Sequence, residues 1–381
     1  MVFPGMAGDL PPLITAAVLL GRAGTEVEMA VAGCEPETLH QLAGAAVTCR
    51  SLGSRRYPRS LAGKALLRLR YARMLRSAVR ASAPEVIWYH TAHGMGYRRW
   101  LRRLAPGAFE VAHAHELYPP HTRPHAVQEQ AIREASCWIA PESARGEVLA
   151  QTTRSQAPFF IVPNRPLATL ARRPLRDGAA GALFRQCGGS PRCTRFVIYQ
   201  GWIADDRCIM EAIEAFRLLN RAEVGLILLG ECRFPSFARR IRRAAAGDSR
   251  VVFADKIPPP GHLRITAGCD VGLMLYAPTG LNNRLCAPNK IYEYAWCGLG
   301  VVMPALPHLR ALREQHGFGR TCDPSDATAI RAAIVAELDR DAGERQRVAA
   351  SFLDASPSPA DAYRALGAFM VRSTGGAGHA D

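Results

Sequence analysis

The sequence predicts an α/β protein built from two doubly wound parallel-sheet domains, and three observations predict it. Short apolar strand-like runs alternate with amphipathic helical segments over nearly the whole chain, the pattern of parallel sheets covered on both faces. The 381 residues are too many for one ordinary domain of this kind and suit two, each burying its own core. The alternation breaks once, in a Pro-, Gly- and Arg-rich stretch over 166–195. This gives a first domain over 1–165, a linker over 166–195, a second domain over 196–355, and a C-terminal helix and tail over 356–381.

In the first half, strands are expected near Val2, Val27, Val86, Phe109, Trp138 and Phe159, with helices between them, the longest over Leu61 to Ser82. The second half restarts the pattern with strands near Phe196, Val224, Val251, Val271 and Gly300. The opening is unusual. Only Met1-Val2-Phe3 precede the expected turn at Pro4-Gly5, where a central first strand usually has about five residues, so the strand is expected to be short or the start a few residues late.

Composition narrows the classes. With 48% hydrophobic and 21% charged residues the chain reads as globular, and no run approaches the roughly 20 apolar residues of a membrane span. The segment Leu10 to Leu20 is short, holds Pro11 and Pro12 and lacks the basic start of a signal peptide, so a cytoplasmic protein is expected. The 11 cysteines are scattered and read as structural thiols; Cys187 and Cys193 lie closest without zinc-site spacing.

Charge is unevenly placed. Between Arg50 and Arg103 stand 14 basic residues against one acid, Glu85, so this stretch holds most of the net charge of +15. At about 100° per residue, Leu67, Tyr71, Met74, Leu75 and Ala78 share one helix face, and Arg70, Arg73, Arg76 and Arg80 project from the other. Such a surface suits an anionic lipid surface at the inner face of the cell membrane or a pyrophosphate-linked acceptor, and equally an ordinary solvated face. A near absence of lysine and of stacking aromatics in the stretch disfavours nucleic acid.

Three segments hold residues suited to chemistry. The Gly-rich turn through Gly8 and Asp9, ahead of a helix starting at Pro11-Pro12, lets backbone approach an anion. It lacks GxGxxG spacing and a downstream acid, which argues against NAD. The run Phe109 to Ala112 ends in His113-Ala114-His115-Glu116, at the strand end that faces the ligand crevice in such sheets. His115 is the main candidate there; a substrate role, a capping role and a metal role are open, though no third distant ligand is evident for a metal. His90 and His93, at the preceding strand end, are weaker versions of the same case.

The third segment runs from Cys269 to Pro304. A strand ending at Tyr276 leads through a polar loop to Pro288, which suits a helix start, and Lys290 follows in the first turn, where a cation opposes the dipole. A bound diphosphate would explain it. Glu293, one turn on beside Asn289, could accept bonds from ribose hydroxyls. By themselves Lys290 and Glu293 are equally an ordinary surface pair at spacing three.

Taken in order, PGMAGDLPP, HAHELYPP, IVPNRP, IYQGWIADDRCIMEAIEAF, LILLGE, CDVGLMLY and APNKIYEYAWCG resemble the retaining GT-B glycosyltransferases of family 4, in particular bacterial polysaccharide and secondary-metabolite enzymes. The resemblance covers nearly all of the chain. It implies a second domain that holds a nucleotide sugar, a UDP-sugar first of all, and a first domain that holds a glycan, lipid-linked or small-molecule acceptor. It also implies a C-terminal helix crossing back to the first domain. By it Gly8 and Arg207 lie near the diphosphate, Glu293 binds the ribose, and His115 contacts the sugar near its reacting carbon. Transfer would retain the anomeric configuration by front-face attack, with the departing phosphate taking the acceptor's proton. No cofactor and no catalytic metal are expected, since no Asp-x-Asp pair is evident.

The sequence departs from the family at three places. Leu285 stands where a first glutamate is usual, eight residues before Glu293, so that Asn282, Asn283 or Arg284 would have to replace it. His113 stands where an aspartate is common, and Trp202 where an Arg or Lys follows the Tyr-Gln-Gly turn. Rival readings are a nucleotide-sugar epimerase of the same fold, for which the first domain offers few carboxylates beyond Asp9 and Glu116, and a non-catalytic nucleotide-sugar-binding or scaffold protein.

Overall fold

The computed structural model describes residues 1–54, 58, 60–170 and 176–375. Arg55, Arg56 and Arg59 of the basic stretch, 171–175 of the expected linker and the tail from 376 lie outside them. The chain forms two compact units, Met1–Leu167 with Pro357–Asp381, and Ala168–Ser356.

In the first unit the described residues form strands β1 (Val2–Met6), β2 (Val27–Gly33), β3 (Val47–Ser51), β4 (Val86–His90), β5 (Phe109–His113), β6 (Cys137–Ala140) and β7 (Phe159–Ile161). They make one parallel sheet in the order β3-β2-β1-β4-β5-β6-β7. The order reverses between β1 and β4, so the crevice beyond their carboxyl ends is the expected ligand position of such a sheet.

The opening differs from expectation. Pro4 and Gly5 lie inside β1, and the turn is the 3-10 segment Ala7–Asp9 that follows. Pro4 has no N–H for the ladder, and the pairing of β1 with β2 shifts between Phe3 and Met6. Tyr71 repairs the gap: its hydroxyl accepts from the Phe3 N–H at 3.0 Å and donates to the Ala30 carbonyl at 2.5 Å.

Tyr71 belongs to the Leu61–Ser82 helix, started by Ser60, whose side chain accepts from the Gly63 N–H. This helix buries Leu67, Tyr71, Leu75, Ala78 and Val79, while Met74 is half-buried and Arg70, Arg73, Arg76 and Arg80 are exposed. Leu61, Leu66 and Leu69 are exposed as well, at 85%, 58% and 50%. The Pro359–Gly375 helix returns to the first unit and packs on the Pro11–Arg22 helix. There Tyr363 meets Trp88 at 5.9 Å, and Leu366 and Met370 join the core formed by Leu13, Val31, Val111 and Ile139.

In the second unit the strands are β8 (Arg195–Gln200), β9 (Val224–Leu229), β10 (Val251–Ala254), β11 (Val271–Leu273), β12 (Gly300–Pro304) and β13 (Arg320–Cys322). Their order is β10-β9-β8-β11-β12-β13, again parallel, with the reversal between β8 and β11. The stretch expected as a linker contributes to this core. Ala179–Gln186 is a helix whose Phe184 is fully buried against Phe196, 5.1 Å between rings. Phe184 fits because Gly225 and Gly189 leave it room: a Cβ on either would come within 2.6 Å of the ring.

Candidate functional site

Two groups of polar side chains stand at the strand reversals, one in each unit. In the second unit, β8 ends in Gln200 and turns at Gly201, which has φ +113. Gly230, at the end of β9, has φ +159, and a Cβ there would meet the Gly201 carbonyl oxygen at 1.8 Å. Only glycine fits both the conformation and the approach. The carboxyl ends of β8 and β9 therefore present bare backbone.

Across this edge lies the Asn289–Cys297 helix, with Pro288 as its N-cap. Asn289 is its first residue, half-buried. Lys290 reaches back toward β8. Its Nζ lies 4.7 Å from the centre of the Tyr199 ring and 5.3 Å from that of Tyr276, distances at which an aromatic face attracts a cation. Arg207 lies 4.4 Å from the same Tyr276 ring. Burial, and then the nearby Arg207 charge, lower the Lys290 ammonium to about 7. Two cations crowded over one aromatic wall are an arrangement that an anion would relieve.

Glu293 is not the surface partner that its spacing from Lys290 allows. It is 5% exposed. Gln200 Nε2 donates to its Oε2 at 2.6 Å, and His262 Nε2 faces its Oε1 at 3.4 Å. Thr266 in turn donates to Gln200 Oε1 at 2.5 Å. Burial alone would raise the Glu293 carboxyl, but His262, the hydrogen bonds from His262 and Gln200, and Lys290 hold it below the usual value. The result is a carboxylate fixed as an anion, with each oxygen keeping a second lone pair for a ligand hydroxyl.

Asn283, expected as a donor contact, is turned inward. Its Nδ2 donates to Asp206 Oδ2 at 3.1 Å and to the Ala277 carbonyl at 3.0 Å, and its Oδ1 accepts from Arg207 at 3.4 Å. With Asp206, 3.5 Å from Arg207, it holds that guanidinium in place. Asn283 is therefore bound up with Arg207 and Asp206. At Trp202, where a cation is usual in the resembling family, the ring is itself covered by cations, Arg233 at 3.5 Å and Lys256 at 5.6 Å.

In the first unit, Gly8 gives its N–H to Glu35 Oε2 at 3.1 Å, so the anion position of this turn is taken by a carboxylate of the chain itself. Along the sheet, His90 and His113 are register partners at the ends of β4 and β5, and His115 follows two residues on. All three are buried, at 0%, 0% and 6% exposed, whereas His93 and Glu116 are exposed. The rings stack: His113 on His115 at 3.9 Å, His90 on His115 at 5.3 Å, with Trp88 against His90 at 5.8 Å and 7°.

His90 Nδ1 and His115 Nε2 are 3.1 Å apart, and Arg145 donates to the His115 carbonyl at 2.5 Å. Four buried ring nitrogens have no partner: His90 Nε2, both nitrogens of His113 and His115 Nδ1. A buried polar group left so costs about 1–3 kcal/mol. Burial lowers all three imidazoles, His115 to about 3, with the Arg145 charge as its second cause; neighbouring imidazoles add to the effect at His90 and His113. They are neutral at ordinary pH.

Sequence reasoning missed Gln200, His262 and Thr266, and it named no third partner for the His-x-His pair. His90 stood among the candidates at the preceding strand end, but only the pairing of β4 with β5 joins it to His113 and His115. Among the described residues no helix is long and apolar enough to cross a membrane.

No protein-family model and no curated protein matches the sequence. Solved structures match over nearly the full length. Anabaena HepE, crystallised in complex with UDP and glucose, is 15% identical, covers 98% of this chain and 100% of its own, and has a TM-score of 0.69. A glycosyltransferase from Rickettsia africae is 11% identical over 97% of this chain and 98% of its own, with a TM-score of 0.66. Sucrose-phosphate synthase from Thermosynechococcus elongatus is 15% identical over 97% of each chain, with a TM-score of 0.64. The two parallel-sheet α/β units, of seven and six strands among the described residues, match those of these GT-B glycosyltransferases and give the chain the GT-B fold.

Proposed function

We propose that the chain is a retaining glycosyltransferase that takes its sugar from a nucleoside diphosphate donor, a UDP-sugar first of all. The observation that carries this is the Glu293 carboxylate, buried and fixed by Gln200 and His262 one helical turn from Lys290. A rigid acceptor of hydroxyl protons beside a paired cation, at the strand reversal of a parallel sheet, suits the ribose and diphosphate of such a donor. HepE, of the same fold, was crystallised with UDP and with UDP-glucose, which supports that choice.

In the proposed reaction the bond from the sugar's anomeric carbon to the diphosphate oxygen breaks. The acceptor hydroxyl bonds to that carbon on the same face, and its proton goes to the departing diphosphate. Lys290 and Arg207 offset the charge that grows on the leaving group, without a metal at the diphosphate. Asn283 and Asp206 orient Arg207. His115 is assigned to the transferred sugar, and the first unit to the acceptor, a glycan, a lipid-linked intermediate or a small molecule. The exposed Arg70, Arg73, Arg76 and Arg80, together with exposed Leu61, Leu66 and Leu69 on the same helix, suit attachment to an anionic membrane surface.

The test is donor binding followed by transfer. Calorimetry of the purified protein against UDP, GDP and their sugars should give binding with one base preferred, and analysis of the linkage formed with the preferred donor should give the donor's own anomer. Absence of binding to any nucleoside diphosphate would reject the reading. An inverted product would keep the transferase and reject front-face retention.

A further inference from the structure

We propose that His90, His113 and His115 form a three-imidazole site for a divalent transition metal, zinc in the first place. One nitrogen from each of the three rings lies within 4.8 Å of the other two. The His90 Nδ1 to His115 Nε2 separation of 3.1 Å is close to the spacing of about 3.3 Å between ligand nitrogens of a tetrahedral zinc with bonds near 2.0 Å. His113 completes the set from the ring stacked 3.9 Å from His115, and it is the histidine with no partner on either nitrogen.

The scaffold suits a metal better than a loop would. His90 and His113 are the paired last residues of two adjacent central strands, and parallel partners in register point to the same face. Trp88 backs His90, and Trp88 itself belongs to the buried core that holds Val111, Cys137 and Ile139. The backbone positions are fixed by the sheet, and binding asks the His113 ring to turn so that its nitrogen closes from within 4.8 Å to about 3.3 Å of the others. The donors are all imidazole nitrogens, a set that favours zinc, copper or nickel over magnesium or calcium. Three protein ligands leave the fourth position of a tetrahedral ion open to a small oxygen ligand.

The inference does not rest on the proposed transfer reaction, because metal binding is read without donor or acceptor. It does bear on His115. An imidazole bound through Nε2 carries its proton on Nδ1. That nitrogen, buried and unpartnered, becomes a donor of fixed orientation for a ligand oxygen.

The test uses tag-free full-length protein stripped with a chelator and titrated with Zn²⁺ and, separately, Co²⁺. One equivalent of each should bind, Co²⁺ should develop the visible absorption of a tetrahedral site, and Zn²⁺ should displace it. His90→Gln and His113→Gln should weaken Zn²⁺ binding by more than the roughly 10–100-fold that follows loss of a supporting hydrogen bond, and His113→Cys should restore much of it. The Co²⁺ spectrum of the unsubstituted protein decides the matter even where a variant fails to fold. No bound metal, Co²⁺ without tetrahedral bands, or unchanged Zn²⁺ affinity in folded His90→Gln and His113→Gln overturns the proposal.

Discussion

Gln200, the last residue of β8, donates its side-chain N–H to Glu293 at 2.6 Å across 93 residues of sequence. The bond ties a strand end to the first turns of a helix and fixes the carboxylate on which the proposed donor site depends. Glu293→Gln keeps the shape, removes the charge and sets an amide against Gln200. Charge-assisted bonds are worth about 1.5–3 kcal/mol, so UDP affinity should fall about tenfold or more, read by calorimetry. Gln200→Ala should act in the same direction without touching the nucleotide. Parental affinity in both would separate Glu293 from the donor.

Lys290 gives a prediction in pH. Its ammonium is lowered to about 7 in the free protein, so much of it is neutral above that pH, and a diphosphate beside it favours the charged form. Binding must then take up a proton. Affinity for UDP should weaken between pH 7.5 and 9 by up to about tenfold per unit, and heats measured in buffers of different ionisation enthalpy should show proton uptake. Lys290→Ala should bind more weakly, turn over more slowly and lose the pH dependence. A flat profile in the parent protein would place Lys290 away from the diphosphate.

His115→Ala should lower turnover strongly and leave nucleotide affinity within about threefold, as expected of a group that acts on the sugar in the transition state. Near-normal turnover would remove His115 from the reaction. Comparing it with His113→Gln separates the two roles, since a metal contribution reaches turnover through either residue.

Replacing Arg70, Arg73, Arg76 and Arg80 together by Gln should reduce binding to vesicles containing anionic lipid at low salt, measured by co-sedimentation. These side chains are exposed, so folding should be unaffected. Equal binding by parent and variant would leave the helix an ordinary solvated face.

Tyr71→Phe removes the hydroxyl that serves both Phe3 and Ala30. The Phe3 N–H and the Ala30 carbonyl each lose a partner, and the expected cost is about 1–3 kcal/mol, seen as a lower urea midpoint. An unchanged midpoint would mean that water replaces the hydroxyl.

What the sequence reveals follows from what burial writes into it. The central strands were legible because both faces are covered, leaving apolar runs such as Val224 to Leu229, every residue of which is buried. The edge strands β3, Val-Thr-Cys-Arg-Ser, and β13, Arg-Thr-Cys, lack such a run because they are only partly covered, and they went unread. The run from Val271 to Tyr276 was read as one strand, yet its pairing stops at Leu273 while burial continues, since hydrophobicity reports coverage rather than the ladder.

At the site, Lys290 and Glu293 were legible because one helix turn carries both. Their setting was not. Gln200, His262 and Thr266 come from a strand and another helix, and no local spacing connects them to Glu293. The orientation of Asn283 was equally hidden, because an amide in a polar loop looks the same whether it faces a ligand or a guanidinium.

The helix Pro359–Gly375 completes a core begun at Ala7, with Leu366 wholly enclosed there. On the ribosome this reverses the usual schedule. The residues from 168 to 356 take on the order of 10–40 s to emerge at about 5–20 residues per second. Throughout that interval the opening sheet waits with the groove for Tyr363, Leu366 and Met370 unfilled. The unit synthesised second thus has all its residues in hand before the first does.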